Sequence, residues 1–183
     1  MALILLDEMK ILPLNIRAGN PLGLKCLVDD EDFDYLNNWN WHSEEYRHSG
    51  KYYVVRGLYL GGGKKKPEIK FIRLHREIME APKWCFVDHI DGNGLNNQKL
   101  NLRLCNNQQN IWNSPKSLKR VTSSKFKGVT KCRQTGLWSA RLVFNGSGKW
   151  LGRHENENDA ALAYNEGAKK YFGEFAYLNL VEN

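Results

Sequence analysis

The pattern that most constrains the fold of this chain lies in its last third, where strand-like segments precede one helix-like segment. Strands are predicted at residues 126–132, 137–144 and 149–154. Asn145-Gly146, between the last two, is a strong signal for a hairpin turn. A helix is predicted from near Asn158 to Gly173, and its apolar stripe consists of Ala160, Tyr164, Ala168 and Phe172, with Ala161 and Tyr171 beside them. These segments predict a small three-stranded antiparallel sheet packed on one C-terminal helix.

The alternation within the middle strand predicts which face of this sheet is buried, because successive side chains of a strand point to opposite faces. The apolar set, which we expect against the helix, is Trp138, Ala140, Leu142 and Phe144. The opposite set, which we expect to face outward, is Ser139, Arg141 and Val143. The sheet is therefore expected to have an open face with basic side chains, and such a face can enter the major groove of DNA.

The distribution of charge indicates an anionic partner. Residues 1–45 carry three basic and nine acidic side chains, whereas residues 46–183 carry 24 basic and 11 acidic ones. Between Asp91 and Glu155 the chain has twelve Lys or Arg and no Asp or Glu. Repeated contact with phosphates favours such a stretch, while a surface that is only solvated mixes both signs. RNA-binding proteins show the same bias, so charge alone does not distinguish DNA from RNA.

A second segment, residues 84–113, carries the residues with catalytic potential. Residues 84–89 predict a strand, Asp91-Gly-Asn-Gly a turn, residues 102–105 a second strand and residues 106–112 a short helix. Strand, loop, strand and helix in close succession would bring Asp88 and His89 near one face of the final helix.

These side chains suit the hydrolysis of a phosphodiester bond. The attacking water needs a base with a pKa near neutrality, and His89 can supply it. The phosphate oxygens and the departing 3′ oxygen need a cation, and Mg²⁺ accepts one carboxylate and one amide oxygen together with several waters. Asp88 and Asn110 can provide those two oxygens. The four cysteines are scattered without a C-x-x-C pair, which argues against a zinc ribbon.

The combination of Asp88-His89, then Asn101-Leu-Arg103 and then Asn110 resembles the HNH, or ββα-metal, nucleases, in particular the homing endonucleases of phage introns. The resemblance implies that His89 is the general base and that Asp88 and Asn110 bind the metal. It also implies that Asn101 braces the loop so that His89 points at the scissile phosphate. The family often has His at the last motif position, and the intron-encoded subgroup resembles this chain in having Asn there. An amide is a weaker, neutral ligand, which makes zinc less suitable than Mg²⁺.

Basic residues near this segment are assigned to DNA binding. Leu74-His-Arg-Glu-Ile-Met79 also resembles the HNH group, which implies phosphate contacts from His75 and Arg76. Arg73 and Arg103 are assigned to DNA binding as well.

Residues 125–180 resemble the Apetala-type domain of plant ethylene response factors, which reads DNA with a three-stranded sheet. The resemblance is carried by Lys127-Gly-Val, Trp138-x-Ala, Trp150-Leu-Gly, Asp159-Ala-Ala-x-Ala-Tyr and Leu178-Asn. It implies DNA contacts from Lys127, Arg141 and Trp150, with Lys131, Arg133, Lys149 and Arg153 as further candidates, while the alternation assigns Trp138 to the core. Plant members tend to present arginines where this chain has Thr130, Cys132 and Val143. The plant recognition sequence therefore does not carry over.

We predict an α+β protein of two domains: a ββα-metal HNH nuclease domain and the small sheet packed on its helix. Residues 1–113 form the N-terminal and nuclease domain, whose core is about 84–113, residues 114–124 form a linker rich in Ser and Lys, and residues 125–183 form the Apetala-type domain. Within the first domain, strands are predicted at 24–28, 51–60 and 68–74, with a turn at 61–67, and helices at about 29–36 and 74–80.

The sequence thus predicts a metal-dependent DNA endonuclease of the homing type, with Mg²⁺ as cofactor and Mn²⁺ as an alternative. Its predicted partner is double-stranded DNA, with no membrane and no obligate protein partner, and both a monomer and a homodimer are compatible with the chain. No apolar run reaches the ~20 residues of a membrane span and no signal peptide is visible. We therefore expect an intracellular, cytoplasmic protein in the host cell of a phage or mobile element.

Two other hypotheses stay open. The first is a sequence-specific DNA-binding regulator with an inactive nuclease motif. The second is a structural RNA-binding protein, which is disfavoured because the sequence shows no aromatic-studded sheet for binding single strands.

Overall fold

The computed structural model describes residues 9–15, 23–46, 50–63, 66–117 and 122–182. The chain forms two compact units, Met1–Asn106 and Asn107–Asn183. Both units combine short antiparallel strands with helices, so the α+β class predicted from the sequence is confirmed. No helix in the described stretches is long and apolar enough to cross a membrane.

The first unit is built from short strands that pair in three antiparallel sheets within the described stretches. Strand β1 (Met9–Leu12) pairs with β2 (Cys26–Asp29), and β6 (Phe86–His89) pairs with β7 (Leu102–Cys105). The third sheet consists of β3 (His42–Glu45), β4 (Tyr52–Gly63) and β5 (Lys66–Arg73). The described part of this unit also contains two α-helices, α1 (Asp30–Leu36) and α2 (Leu74–Ile78).

A fully buried tryptophan, Trp41, anchors the core of this unit. Its indole Nε1 donates a hydrogen bond to the Leu36 carbonyl oxygen at 2.9 Å, which satisfies the only polar atom of the ring. The other buried members of this core are Leu12, Cys26, Val28, Leu36, Val54 and Leu74. The core therefore ties β1, β2 and β4 to both helices.

Two strands of the first unit, β1 and β3, are not predicted from the sequence. Each has four residues, too few for an alternating pattern, and β3 reads His-Ser-Glu-Glu. β3 forms because its backbone pairs with β4, from His42↔Val55 to Glu45↔Tyr52. β4 and β5 also extend into the turn predicted at 61–67, of which residues 64–65 lie outside the described stretches.

The second unit contains the sheet and helix that the sequence predicts. β8 (Val129–Lys131), β9 (Trp138–Phe144) and β10 (Ser147–His154) form an antiparallel sheet in the order β10-β9-β8. A helix follows at Glu157–Phe172, which we call α4 because a short helix, α3 (Asn107–Asn113), precedes the sheet. Its N-cap Asn156 accepts a hydrogen bond from the Asp159 N–H at 2.8 Å, so the helix begins one residue before its predicted start.

Helix α4 packs its small-residue stripe against β9. The buried residues of the stripe are Ala160, Ala161, Tyr164, Ala168 and Phe172. On β9, Ala140 and Leu142 are buried against them, and Trp138 and Phe144 pack on the same core at half-buried positions. The outward set leaves Arg141 and Val143 exposed, as the alternation predicts.

Helix α3 (Asn107–Asn113) also belongs to the second unit. Its Trp112 stacks on Phe172 with ring centroids 4.6 Å apart and on Phe144 at 5.5 Å. This packing explains why the division between units falls at Asn106, whereas the sequence predicts a linker at 114–124. Residues 118–121 of that linker lie outside the described stretches.

Gly128 lies where the backbone of the second unit leaves no room for a side chain. Its φ is +74°, and a Cβ there would lie 2.1 Å from Tyr164 Cδ2 and 2.6 Å from the Arg141 carbonyl oxygen. We expect Gly128→Ala to lower the free energy of unfolding by about 3 kcal/mol, about 1 from the left-handed backbone and the rest from overpacking. Urea unfolding followed by tryptophan fluorescence measures the loss.

Gly136→Ala is the matched control for this variant. Gly136 has φ +71°, and a Cβ there would meet nothing within 4 Å. Its loss should therefore be only the backbone contribution of about 1 kcal/mol. Equal losses in the two variants would contradict the packing argument.

Candidate active site and nucleic-acid interface

The loop between β6 and β7 is closed by hydrogen bonds from one asparagine side chain. Asn101 Oδ1 accepts from the Asp91 N–H at 3.0 Å, and Asn101 Nδ2 donates to Asp91 Oδ1 at 3.0 Å and to the Asn96 carbonyl at 2.8 Å. The Ile90 N–H donates to the Asn101 carbonyl at 2.9 Å. These bonds hold the residues that directly follow His89, which is the part of the loop that we expect Asn101 to brace.

A second asparagine, Asn97, holds the imidazole of His89 from inside the unit. Asn97 is 0% exposed, and its Oδ1 lies 3.3 Å from His89 Nε2. Its Nδ2 donates to the Gly94 carbonyl at 3.3 Å and to Cys26 Sγ at 3.5 Å, which turns the amide oxygen toward the histidine. An amide oxygen only accepts, so Nε2 carries the proton of the neutral ring and Nδ1 keeps its lone pair.

Asn97 is a functional candidate that sequence reasoning does not find. It lies in a loop with several asparagines, and residue type alone does not show which amide points inward. The nearest signal is its place between two predicted strands, eight residues after His89.

His89 lies in a buried cluster of aromatic rings. Its ring centroid is 5.0 Å from that of His75 and 5.8 Å from that of Tyr53. His75 and His89 are each 5% exposed. Only a small part of either imidazole is therefore exposed to solvent.

Burial sets the protonation state of these two histidines. It lowers the pKa of His89, while the Asn97 hydrogen bond and the carboxylates of Asp91 and Asp88 act in the opposite direction. Burial also lowers the pKa of His75 to about 3, with smaller contributions from nearby cationic groups. Both rings are therefore neutral at pH 7, and a neutral imidazole can accept a proton.

The Asp88 carboxylate is buried beside a cation. Asp88 faces Arg103 across the β6–β7 ladder, and Arg103 Nε and Nη2 both donate to Asp88 Oδ2, at 2.9 and 2.8 Å. Burial lowers the pKa of Lys51, and the Asp88 carboxylate opposes that lowering, so a second cationic group acts on this carboxylate. These charges offset the cost of burying the carboxylate.

The predicted metal ligands are oxygen donors of the kind that Mg²⁺ prefers. Asp88 supplies a carboxylate near the end of β6 in the first unit, and Asn110 supplies an amide on α3 in the second unit. Within the described residues, no group of three or more His, Cys, Asp or Glu side chains is placed to hold a metal ion. The donor set suits a hard ion that keeps several waters better than it suits zinc.

Two residues with predicted phosphate contacts are engaged inside the first unit. His75 packs against His89, and its buried Nδ1 has no hydrogen-bond partner among the described residues. The Arg76 guanidinium donates to three backbone carbonyls, those of Ala81, Pro82 and Cys85, at 3.0, 2.8 and 2.7 Å. Arg73, at the end of β5, is exposed. The phosphate contacts of all three stay predictions.

The register of β9 and β10 places three candidate DNA contacts on the open face of the second unit. Trp150 pairs with Arg141, and Arg153 pairs with Ser139. A bulge between Trp150 and Gly152 shifts Arg153 to this face. Trp150 is 59% exposed, and the Arg153 guanidinium carbon lies 5.6 Å from its ring centroid. We call Arg141, Trp150 and Arg153 the open-face set.

The remaining candidates lie elsewhere in this unit. Lys131 and Lys149 pair with residues of the helix-facing set, and Arg133 is exposed in the turn between β8 and β9. Lys127 Nζ donates to three carbonyls at the end of α3, those of Ile111, Trp112 and Ser114, at 3.1, 2.7 and 2.6 Å. Lys127 therefore caps α3. DNA contacts from these four residues stay predictions.

Comparison with known proteins shows homology to an HNH endonuclease over part of the chain. An uncharacterized HNH endonuclease of Acanthamoeba polyphaga mimivirus is 38% identical over 117 residues, which cover 61% of this chain and 59% of that protein. Protein 3.8 of Escherichia phage T7 is 36% identical over 81 residues, which cover 40% of this chain and 64% of that protein. The chain therefore spans about three fifths of the length of these relatives.

A plant protein shows the second similarity. An AP2-like ethylene-responsive transcription factor of Arabidopsis thaliana is 34% identical over 100 residues, which cover 46% of this chain and 28% of that protein. No family model matches the chain, and no solved structure matches it.

The buried histidines make the stability of the first unit depend on pH. A histidine with a lowered pKa in the folded state protonates more readily when unfolded, so stability is lost as pH falls below the unfolded pKa of about 6.5. For His75, whose pKa is lowered to about 3, we expect a loss of about 1.4 kcal/mol per pH unit. His75→Gln should take up about one proton fewer on unfolding, so its loss of stability should be smaller by about 1.4 kcal/mol per pH unit. The difference is expected between about pH 6.5 and 5, where most carboxylates stay ionised.

Urea unfolding at a series of pH values measures the slope for wild type and His75→Gln. An identical slope in the two proteins would show that His75 takes up its proton in the folded state.

Proposed function

We propose that this chain is a metal-dependent DNA endonuclease of the HNH kind, which hydrolyses phosphodiester bonds and is held on DNA by its second unit. The observation that carries the proposal is His89, a buried neutral imidazole that follows a buried carboxylate, Asp88, and is held by Asn97 at the start of a loop braced by Asn101. Homology to a viral HNH endonuclease supports the same activity. The homing type is carried over from the motif resemblance.

In this proposal His89 accepts the proton of the attacking water. Its Nε2 donates to Asn97 Oδ1, so Nδ1 is the basic nitrogen. Burial favours the neutral ring at pH 7, which is the form that can act as a base. The hydrogen bond to Asn97 strengthens when the ring becomes an imidazolium, because its donor is then charged. Asn97 is therefore a positioning residue for His89.

We assign Asp88 and Asn110 as the protein ligands of one Mg²⁺ ion, with Mn²⁺ as an alternative. When bound, the ion would stabilise negative charge on the phosphate oxygens and on the departing 3′ oxygen. Asp88 is supported by its burial beside His89 at the end of β6. Asn110 is supported by its position in the motif.

We propose that the open-face set of the second unit binds duplex DNA. A three-stranded sheet fits the major groove, where arginine recognises guanine edges or phosphates. Val143 lies on the same strand face as Arg141 and is 59% exposed. An exposed valine here, where plant members tend to have arginine, supports a target sequence different from theirs.

A second candidate function is a sequence-specific DNA-binding regulator whose nuclease motif is inactive. Similarity to a plant transcription factor favours it. The two candidates differ in one measurable outcome, because a regulator binds DNA without cutting it.

We expect the wild-type chain to cut supercoiled plasmid carrying candidate target DNA in Mg²⁺ and to leave it intact in EDTA. His89→Ala should lower the cleavage rate at least about 100-fold, because general bases contribute that much or more. Lys169→Gln, which changes an exposed residue of α4, is the control and should cut at the wild-type rate. Agarose electrophoresis separates nicked from linear product. DNA binding without metal-dependent cleavage would favour the regulator.

The open-face set should determine DNA affinity. We expect Arg141→Gln and Trp150→Ala each to weaken binding at least about tenfold, and Arg141→Gln to reduce the salt slope by about one if it contacts a phosphate. Lys169→Gln makes the same charge change on α4 and should alter the affinity much less. Fluorescence anisotropy with labelled duplex at several salt concentrations measures this. Similar losses in all three variants would contradict the assignment of the face.

A further inference from the structure

The buried ion pair of Asp88 and Arg103 engages the carboxylate that we assign to the metal ion. Two hydrogen bonds of the pair end on Asp88 Oδ2, from Arg103 Nε at 2.9 Å and from Arg103 Nη2 at 2.8 Å. The Asp88 and Arg103 side chains are 7% and 11% exposed, so water screens the pair weakly. Two charge-assisted bonds to a single oxygen leave it engaged by a cation.

A guanidinium and a divalent ion compete for such an oxygen. Arginine does not lose its proton in a protein, so Arg103 can vacate Oδ2 only by moving. Two cations at hydrogen-bonding or ligand distance from the same atom repel each other strongly in a poorly screened site. The ion pair therefore opposes metal binding as long as it stays closed.

The position of the Asp88–Arg103 pair indicates that its role is not only to stabilise the fold. Asp88 and Arg103 are cross-strand neighbours in β6 and β7, whose backbones are already joined by the ladder. A second buried pair of the same unit, Arg56 with Glu77, bridges separate elements, β4 and α2, and its nitrogens reach two different oxygens. The Arg56–Glu77 pair therefore connects two separate elements of the fold. The Asp88–Arg103 pair lies on two strands that backbone hydrogen bonds already join.

We propose that Arg103 is a displaceable counterion, which holds Asp88 in the absence of DNA and transfers to a DNA phosphate when DNA binds, so that Asp88 becomes available to the metal ion. This proposal rests on the proposed function. A phosphate offers the guanidinium the same two-bond geometry as a carboxylate, so the transfer replaces one charge-assisted contact by another. Metal and DNA then strengthen each other's binding by the same factor.

The test is Mn²⁺ binding to the full chain without DNA, followed by the electron paramagnetic resonance signal of free Mn²⁺. Arg103→Gln should bind Mn²⁺ at least about tenfold more tightly than wild type, within the usual range of coupling between sites. Arg56→Gln breaks a comparably buried pair away from Asp88 and should leave the Mn²⁺ affinity unchanged. Circular dichroism establishes that each variant is folded.

Asp88→Asn separates failure of this inference from failure of the proposed function. Mn²⁺ affinity that is unchanged in Asp88→Asn would remove Asp88 from the metal site and overturn both. If the Mn²⁺ affinity falls in Asp88→Asn but does not rise in Arg103→Gln, Asp88 stays a metal ligand and the proposed competition between Arg103 and the metal ion is wrong.

A second measurement does not require Arg103→Gln to fold. The His89→Ala chain keeps Asp88 and Arg103 and is expected not to cut, so its Mn²⁺ affinity can be measured with and without a short duplex of mixed sequence. The duplex should raise the affinity at least about tenfold. Equal affinities would overturn the proposal. Where Arg103→Gln is folded, the duplex should raise its Mn²⁺ affinity less than it raises the Mn²⁺ affinity of the His89→Ala chain, in which Asp88 and Arg103 are both present.

Discussion

Hydrogen bonds from two asparagine side chains hold the candidate site together. Asn101 closes the loop after β6, and Asn97, buried beneath it, fixes the ring of His89. A buried amide that loses its partner costs about 1–3 kcal/mol. Asn97 is fully buried, so the loop has a strong preference for the conformation in which the Asn97 amide is paired. The orientation and tautomer of His89, and with them its capacity to act as a base, follow from that conformation.

The charged and titratable groups have different surroundings in the two units. In the first unit, His75 and His89 are neutral at pH 7 because burial lowers the pKa of each, and the Asp88 carboxylate is held by Arg103. In the second unit, the charges of Arg141 and Arg153 stay on an exposed sheet face. These two arrangements suit the proposed nuclease, in which the Asp88–Arg103 pair opens when the exposed face binds DNA.

The parts of the structure that follow a sequence period are predicted, and those that depend on contacts distant in the chain are not. Helix α4 and strand β9 repeat their apolar residues over several turns or pairs, so their buried faces are predicted residue by residue. β1 and β3 are too short for a period, and α3 joins the second unit through Trp112, a contact without a local signal. In the candidate site, residue types and order predict Asp88, His89 and Asn101. The inward turn of Asn97 and the capture of Asp88 by Arg103 depend on burial and strand register, which the sequence does not display.

We propose that the Asp88–His89 segment is a metal-dependent site for DNA hydrolysis. The most direct measurement is anomalous diffraction from crystals of the His89→Ala chain with duplex DNA and Mn²⁺. We expect an anomalous peak at ligand distance, about 2.0–2.3 Å, from an Asp88 oxygen, next to a DNA phosphate and with the Asp88–Arg103 pair open. Bound DNA with the Asp88–Arg103 pair still closed and no manganese at Asp88 would contradict it.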